Sequence, residues 1–117
     1  MLDQSFPRII HQIYWDFSET GKTMPDRWIE NHDRWKVLHP RFEVRLWGLA
    51  DCEALLSQHY PEYLDMFRGY RYHIQRADAI RYFILHRHGG MYVDLDVHPR
   101  YPVGRLLQLY EVEPRIQ

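Results

Sequence analysis

Residues 74–97 constrain the fold most, because a long helical pattern is followed at once by a short apolar strand and two acidic residues. The predicted helix covers residues 74–88, and Gly89-Gly90 can end it, since glycine readily adopts the left-handed conformation that follows many helices. Met91-Tyr92-Val93 then predicts a short buried strand that leads directly into Asp94-Leu95-Asp96. A helix that feeds a buried strand in this way is typical of α/β domains with a parallel sheet.

The rest of the chain agrees with this class. Two further strands are predicted where β-branched and aromatic residues dominate or alternate, over residues 8–15 (RIIHQIYW) and 42–47 (FEVRLW). Further helices are predicted from Asp26, which can cap the first one, to before Pro40, from Asp51 to about His59, from Pro61 to Phe67, and from Val103 to Tyr110. The order predicts one α/β domain over residues 1–117, with a Rossmann-type, mostly parallel sheet and flanking helices. Ligands of such sheets bind outside the carboxyl ends of the strands.

Composition excludes several classes of protein. Hydrophobic residues make up 45% and aromatic residues 15% of the chain, which is enough for a packed core. A net charge of -1, from 15 basic and 16 acidic residues, argues against nucleic-acid binding. Cys52 is the only cysteine, so no internal disulfide can form. Neither a signal peptide nor a membrane-spanning apolar run is recognisable, and we expect a soluble, cytoplasmic chain.

Asp94 and Asp96 stand two positions apart, directly after an apolar strand. In an extended chain their carboxylates would point to one side, and two like charges that close are unfavourable unless a cation lies beside them. Mg²⁺ and Mn²⁺ prefer oxygen ligands and are often held by one or two carboxylates together with substrate phosphates. The pair therefore indicates a divalent metal site. The alternative is a turn in which the aspartates cap backbone amides.

A second pair of charges lies on the predicted helix 74–88. Ile74, Asp78, Arg81 and Leu85 are spaced by four, three and four positions, which places them on one helix face. An acid and a base would then lie within an apolar stripe, where burying a charge is costly unless the charge is paired and further satisfied. This arrangement favours a ligand-binding role. The alternative is a structural i,i+3 ion pair on the helix surface.

These motifs carry a resemblance to a known family. The stretch IQRADAIRYFILHRHGGMYVDLDV (74–97) resembles the DXD-containing sugar-binding region of glycosyltransferases, and PRIIHQIYW (7–15) and FEVRLW (42–47) are similar to the same family in the same order. That family includes the yeast initiating α-1,6-mannosyltransferase, inositol-phosphoceramide mannosyltransferases, capsular polysaccharide enzymes and, distantly, the clostridial glucosylating toxins. The combination A-D-x-x-R-Y…G-G-x-Y-x-D-x-D is specific, whereas a lone D-x-D would be weak. The resemblance implies a GT-A-like fold.

The resemblance also implies roles for individual residues. Asp78 matches the acidic residue that hydrogen-bonds the hydroxyls of the donor sugar. Arg81 matches the arginine near the donor sugar and its phosphates, a role that suits the fixed donor geometry of guanidinium. Asp94 is expected to contact ribose or sugar, and the metal mainly through water. Asp96 is expected to bind the metal directly.

Aromatic residues complete the expected nucleotide site. Tyr92 lies on the strand that leads into the motif and is expected to line the pocket. Tyr14 stands where relatives usually have the aromatic residue that stacks on the base, and Trp15 beside it is the alternative.

A few further residues are weaker candidates. His98 follows the motif at D-x-D-x-H spacing, and it is either a surface histidine or a ligand for a metal such as Mn²⁺. The remaining predictions place Trp28, Trp35 and Trp47 in the core, Arg76 in solvent, and His11 and Gln12 in structural positions.

The function implied by the resemblance is metal-dependent transfer of a sugar from a UDP-sugar or GDP-sugar to a hydroxyl of a glycan, lipid or protein acceptor, with retention of anomeric configuration. The sequence ends 21 residues after Asp96, so we expect only the nucleotide-sugar-binding half, and a homo-oligomer is one way to complete it. A non-catalytic module that binds nucleotide sugar or glycan is the main alternative. A haloacid-dehalogenase-like phosphatase is disfavoured, because such enzymes need lysine and acidic motifs far downstream, and no lysine follows Lys36.

Overall fold

A computed structural model describes residues 7–103 of the chain, in which a three-stranded parallel sheet is flanked by helices. The strands are β1 (Ile9–Ile13), β2 (Glu43–Trp47) and β3 (Met91–Tyr92). The helices are α1 (Asp26–Leu38), α2 (Leu49–His59), α3 (Leu64–Gly69) and α4 (His73–His88), and a 3₁₀ turn, Pro61–Tyr63, precedes α3. The predicted α/β class is therefore confirmed. The helix predicted over residues 103–110 lies outside the described residues.

The sheet has the order β2-β1-β3, with both neighbours parallel to the central strand. Ile10 is aligned with Val44 on one side and with Met91 on the other. Because all three strands run in the same direction, their carboxyl ends meet at one edge of the sheet. The polar residues that follow β1 and β3 are thus brought to the same edge.

Helices cover both faces of this sheet. Ile13 of β1 packs with Leu56 of α2, Phe67 of α3 and Ile80 of α4 in one buried cluster. Ile10 packs with Trp35 of α1 and with Val93 in a second cluster. Since side chains alternate between the faces of a strand, Ile10 and Ile13 belong to opposite faces. The helix α1 therefore covers one face, and α2, α3 and α4 cover the other.

Glycine determines how closely α4 and β3 approach the central strand. Gly89 and Gly90 both adopt the left-handed conformation, with φ angles of 68° and 87°. A Cβ atom on Gly90 would lie 2.4 Å from the carbonyl oxygen of Ile9, so no larger residue fits there without displacing β1. The predicted role of this glycine pair in ending the helix is confirmed.

Two helix starts differ from the predictions. Asp26 is the first residue of α1 and not its cap, since Pro25 holds the capping position. The helix α2 begins at Leu49, and Asp51 caps it from within, because its carboxylate accepts a hydrogen bond of 2.8 Å from the Gly48 amide. Both aspartates still lie in a first turn, where negative charge interacts favourably with the helix dipole.

The buried face of α4 was predicted wrongly. Its core residues are Ala77, Ile80 and Ile84, whereas Ile74 is exposed. The predicted stripe is displaced from the true core face, so Asp78 does not lie within the apolar interior.

None of the helices in residues 7–103 is long and apolar enough to cross a membrane.

Arg76 was predicted to lie in solvent, but the structure shows that it is half-buried between α3 and α4. Its guanidinium donates hydrogen bonds to the carbonyl oxygens of Phe67 (3.2 Å), Arg68 (3.0 Å) and Tyr70 (2.9 Å). These carbonyls lie at and just after the end of α3, where the last carbonyls of a helix have no intrahelical donor. Arg76 thereby fixes the turn between the two helices.

Candidate functional site

A cavity of about 210 Å³ lies beyond the carboxyl ends of β1 and β3. Most of the sequence-predicted site residues line it, although they come from three separate parts of the chain. Its walls are formed by Ile13, Tyr14, Phe17, Trp28, Ile74, Ala77, Asp78, Arg81, Tyr92, Asp94, Leu95 and Asp96. The structure therefore brings both aspartates of the motif together with the acid and the base of α4.

The acidic motif was expected to be extended, but the chain turns there. The Val93 amide still donates to the His11 carbonyl at 3.0 Å, in continuation of β3. The Val97 amide then donates to the Asp94 carbonyl at 3.1 Å, which closes a turn. Leu95 is buried beneath this turn, while the carboxylates of Asp94 and Asp96 are exposed and both border the cavity.

Helix α1 holds this turn in place, chiefly through Asn31, which no sequence motif indicated. Asn31 is only 2% exposed, and its side-chain amide donates to the Leu95 carbonyl at 2.9 Å. Its carbonyl oxygen accepts a hydrogen bond of 2.9 Å from Nδ1 of His98. Trp35, one helical turn later, donates from Nε1 to the Val97 carbonyl at 3.1 Å. The i,i+4 spacing of Asn31 and Trp35 signals that the asparagine shares the buried face of α1 and needs a hydrogen-bond partner, although it does not specify which one.

On the opposite wall, Arg81 connects the acid of α4 to the strand. It donates to Asp78 at 2.8 Å, and its guanidinium lies 4.6 Å from the centre of the Tyr92 ring. The i,i+3 ion pair foreseen as the alternative is therefore present. Because 62% of the Asp78 side chain is exposed, solvent screens the pair, which then contributes at most about 1 kcal/mol to stability. Both members of the pair also line the cavity.

The charge state of this wall is well defined. Burial, and then the neighbouring Asp94 carboxylate, raise the pKa of Tyr92, so its phenol stays neutral. The Nε atom of Arg81 is buried and has no hydrogen-bond partner among the described residues. A buried guanidinium N–H without a partner is costly unless a ligand or water satisfies it. The wall therefore presents a neutral phenol beside one guanidinium, whose Nε–H is enclosed by the protein.

Tyr14 and Trp15 point to different places, as adjacent residues at the end of a strand do. Tyr14 lines the cavity, and its ring meets the edge of Trp28 at a centroid distance of 6.0 Å. Trp15 is buried in the core instead, where its Nε1 donates to Nδ1 of His73 at 2.9 Å. Trp15 therefore does not line the cavity, whereas Trp28, which was predicted to be a core residue, does.

The other aromatic and polar predictions fall in the interior. Trp35 and Trp47 are core residues, as predicted. His11 is fully buried; its Nε2 donates to the Gly89 carbonyl at 2.8 Å, and its Nδ1 accepts from Nε1 of Trp47 at 3.1 Å. Gln12 is fully buried as well and pairs with His32. The structural roles predicted for His11 and Gln12 are thus confirmed.

The exposed carboxylates of Asp94 and Asp96 fit a divalent ion that is shared with a phosphorylated ligand. Within residues 7–103, no three His, Cys, Asp or Glu side chains are grouped closely enough to hold one ion, so His98 does not join the two aspartates. Mg²⁺ and Mn²⁺ are commonly bound by one or two carboxylates, with water and substrate phosphates completing the shell. Arg81, across the cavity, adds a positive group that suits the same phosphates.

Comparison with known proteins agrees with this site. A family model described as the glycosyltransferase sugar-binding region containing DXD motif matches residues 25–113. Mannosyl phosphorylinositol ceramide synthase CSH1 of Saccharomyces cerevisiae is 43% identical over 93 residues, which cover 80% of this chain and 23% of that protein. Inositol phosphoceramide mannosyltransferase 3 of Schizosaccharomyces pombe is 39% identical over 93 residues, covering 80% and 25%. Initiation-specific alpha-1,6-mannosyltransferase of Candida albicans is 31% identical over 110 residues, covering 92% and 28%.

The chain therefore spans about a quarter of the length of these relatives. No solved structure gives a significant match. The family match includes α1, α4 and the acidic turn, which form most of the cavity wall, while Ile13, Tyr14 and Phe17 lie before the matched range. The chain belongs to the glycosyltransferase family whose sugar-binding region contains the DXD motif.

Proposed function

We propose that this chain is the nucleotide-sugar-binding part of a metal-dependent glycosyltransferase that takes a mannosyl group from a nucleoside diphosphate mannose. The observation that carries this proposal is that one cavity at the carboxyl edge of the sheet is lined by Asp78, Arg81, Tyr92, Asp94 and Asp96. The mannosyl donor is inferred from relatives whose names describe mannosyl transfer. The acceptor is a hydroxyl of a lipid, glycan or protein.

Each charged group of the cavity would bind a different part of the donor. Asp96 would hold the divalent ion directly and Asp94 mainly through water, and the ion supplies Lewis-acid stabilisation of the charge that develops on the departing diphosphate. Arg81 adds a preorganised positive group to the same region, because its guanidinium is fixed between Asp78 and the face of Tyr92.

The remaining wall residues orient the donor. One oxygen of Asp78 accepts the hydrogen bond from Arg81, and the exposed carboxylate can accept a second bond from a sugar hydroxyl. Tyr14 offers an aromatic face for the base, and Trp28 supports it from the edge. Transfer with retention of configuration is part of the proposal, and proton NMR of the anomeric signal of the product tests it.

Calorimetric titration of the full chain with GDP-mannose and with UDP-glucose, in Mn²⁺ and in EDTA, tests the donor site. We expect binding that requires Mn²⁺ and that weakens at least about tenfold in Asp96→Asn, since one ligand charge is lost. The matched control is Asp33→Asn, which removes an exposed carboxylate from α1 and leaves binding unchanged. Equal affinity in Mn²⁺ and EDTA would contradict the metal assignment. Donor binding without any hydrolysis or transfer would favour the non-catalytic module.

A further inference from the structure

A second, more open groove of about 480 Å³ lies between α3 and α4, on the side of α4 away from the acidic turn. Met66 and Tyr70 border it from α3 and its end, and Gln75 and Tyr82 border it from α4. Asp78 lines both this groove and the cavity of the candidate site. One carboxylate therefore forms the boundary between two binding spaces.

The chemistry of this groove is that of a surface for an uncharged polyhydroxylated ring. Tyr82 is 70% exposed, which leaves a large aromatic face in solvent. Gln75 and Asp78 supply hydrogen-bonding groups beside it. No basic side chain among the described residues lines the groove, so it is not suited to a phosphate. Apolar or aromatic walls with a few placed polar groups are typical of sites for small ligands.

Asp78 connects the groove to the donor. Its Oδ1 atom accepts from Arg81, and no other protein hydrogen bond to this carboxylate exists within residues 7–103. A sugar in the first cavity and a ring in the groove would both lie within reach of the same exposed side chain. Group transfer requires the attacking hydroxyl to be held next to the departing group, because proximity and orientation supply much of the rate.

We propose that the groove between α3 and α4 binds a hexose or cyclitol ring of the acceptor and presents one of its hydroxyls at Asp78. The proposal rests on the proposed function, since it presupposes that the first cavity holds the donor. Its probes are methyl α-D-mannopyranoside and myo-inositol, with cyclohexanol as a ring of the same size that carries a single hydroxyl.

The test is an NMR titration of the isotope-labelled full chain, which follows the backbone amides of Ala79 and Tyr82. We expect the two polyols to shift these signals and cyclohexanol to shift them far less. Tyr82→Ala should weaken polyol binding by roughly three- to tenfold, the effect of losing one aromatic contact. Tyr101→Ala is the matched control, because Tyr101 is 72% exposed and lines neither cavity.

Three results would overturn the proposal. One is that the polyols leave the NMR signals of the groove unchanged while GDP-mannose still binds. That result would refute the acceptor site and leave the donor site intact. Another is stronger binding of cyclohexanol than of the polyols, which would mark an apolar docking surface. The third is a melting temperature several degrees lower in Tyr82→Ala than in Tyr101→Ala, which would show that another part of the chain covers the groove. If the chain binds the polyols but does not bind GDP-mannose, the donor assignment is refuted instead.

Discussion

Replacing Asn31 by alanine removes two hydrogen bonds that connect α1 to the acidic turn. The bond to the Leu95 carbonyl is buried, so its loss leaves an acceptor without a partner, at a cost of about 1–3 kcal/mol. The bond from His98 is partly exposed, and water can replace Asn31 there, so its loss costs at most about 1 kcal/mol. We therefore expect Asn31→Ala to lower the free energy of unfolding by roughly 1–4 kcal/mol.

Urea denaturation and metal-dependent donor binding together measure this effect. The denaturation midpoint of Asn31→Ala should fall at unchanged m-value, and His98→Ala, which breaks only the second bond, should show less than half of the change. Binding of GDP-mannose in Mn²⁺ should weaken about tenfold in Asn31→Ala, because the turn that carries Asp94 and Asp96 loses its anchor. Glu30→Ala, an exposed neighbour on α1, serves as the control.

The anchoring role of Asn31 is refuted if the free energy of unfolding of Asn31→Ala lies within about 0.5 kcal/mol of the Glu30→Ala control, since changes of that size are typical of ordinary surface substitutions. A second refutation is a large loss of stability with donor affinity unchanged in Mn²⁺. In that case Asn31 would support the fold and have no influence on the carboxylates.

Three further predictions follow from the same structure. Asp78→Asn should change the free energy of unfolding by less than about 1 kcal/mol, since the pair with Arg81 is screened, yet it should reduce discrimination among donor sugars in competition titrations; a large loss of stability would restore the purely structural interpretation. Burial lowers the pKa of His11 from its ordinary 6.5, so the unfolded chain binds a proton that the folded chain does not. Stability should therefore fall as pH drops below about 6.5, and His11→Gln should flatten this slope in urea denaturation; an unchanged slope would contradict the assignment. Gly90→Ala should cost at least about 3 kcal/mol, because strain adds to overpacking against β1, whereas Gly21→Ala, at a similar φ of 80° with open space around it, should cost about 1–2 kcal/mol; equal costs would show that the close approach is unimportant.

The elements nearest the acidic motif could be predicted from sequence because their signals are local. A glycine pair ends α4, and the apolar residues that follow form β3, so both boundaries depend on neighbours in the chain. The parallel sheet followed from the order of the elements, and it placed the residues after β1 and β3 at one edge. The predicted cavity residues therefore came together, with the exception of Trp15.

The contacts that hold the site in place could not be read in the same way. Asn31 and Leu95 are 64 positions apart, and no periodicity in α1 specifies which carbonyl its asparagine will meet. The face of α4 was misjudged because Ile74 and Leu85 are apolar and helically spaced, although Ile74 contributes to the cavity wall and not to the core. Arg76 was placed in solvent because the carbonyls that it binds depend on where α3 ends.

The placement of the tryptophans has an optical consequence. Trp15, Trp35 and Trp47 are buried, and each donates its indole N–H to a protein acceptor, so a ligand in the cavity leaves their surroundings almost unchanged. Trp28 alone among the four lines the cavity, with its edge against Tyr14. A base that stacks at this wall would quench the emission of a single indole. The chain thus carries its own fluorescent reporter, and Trp28→Phe provides the dark reference for it.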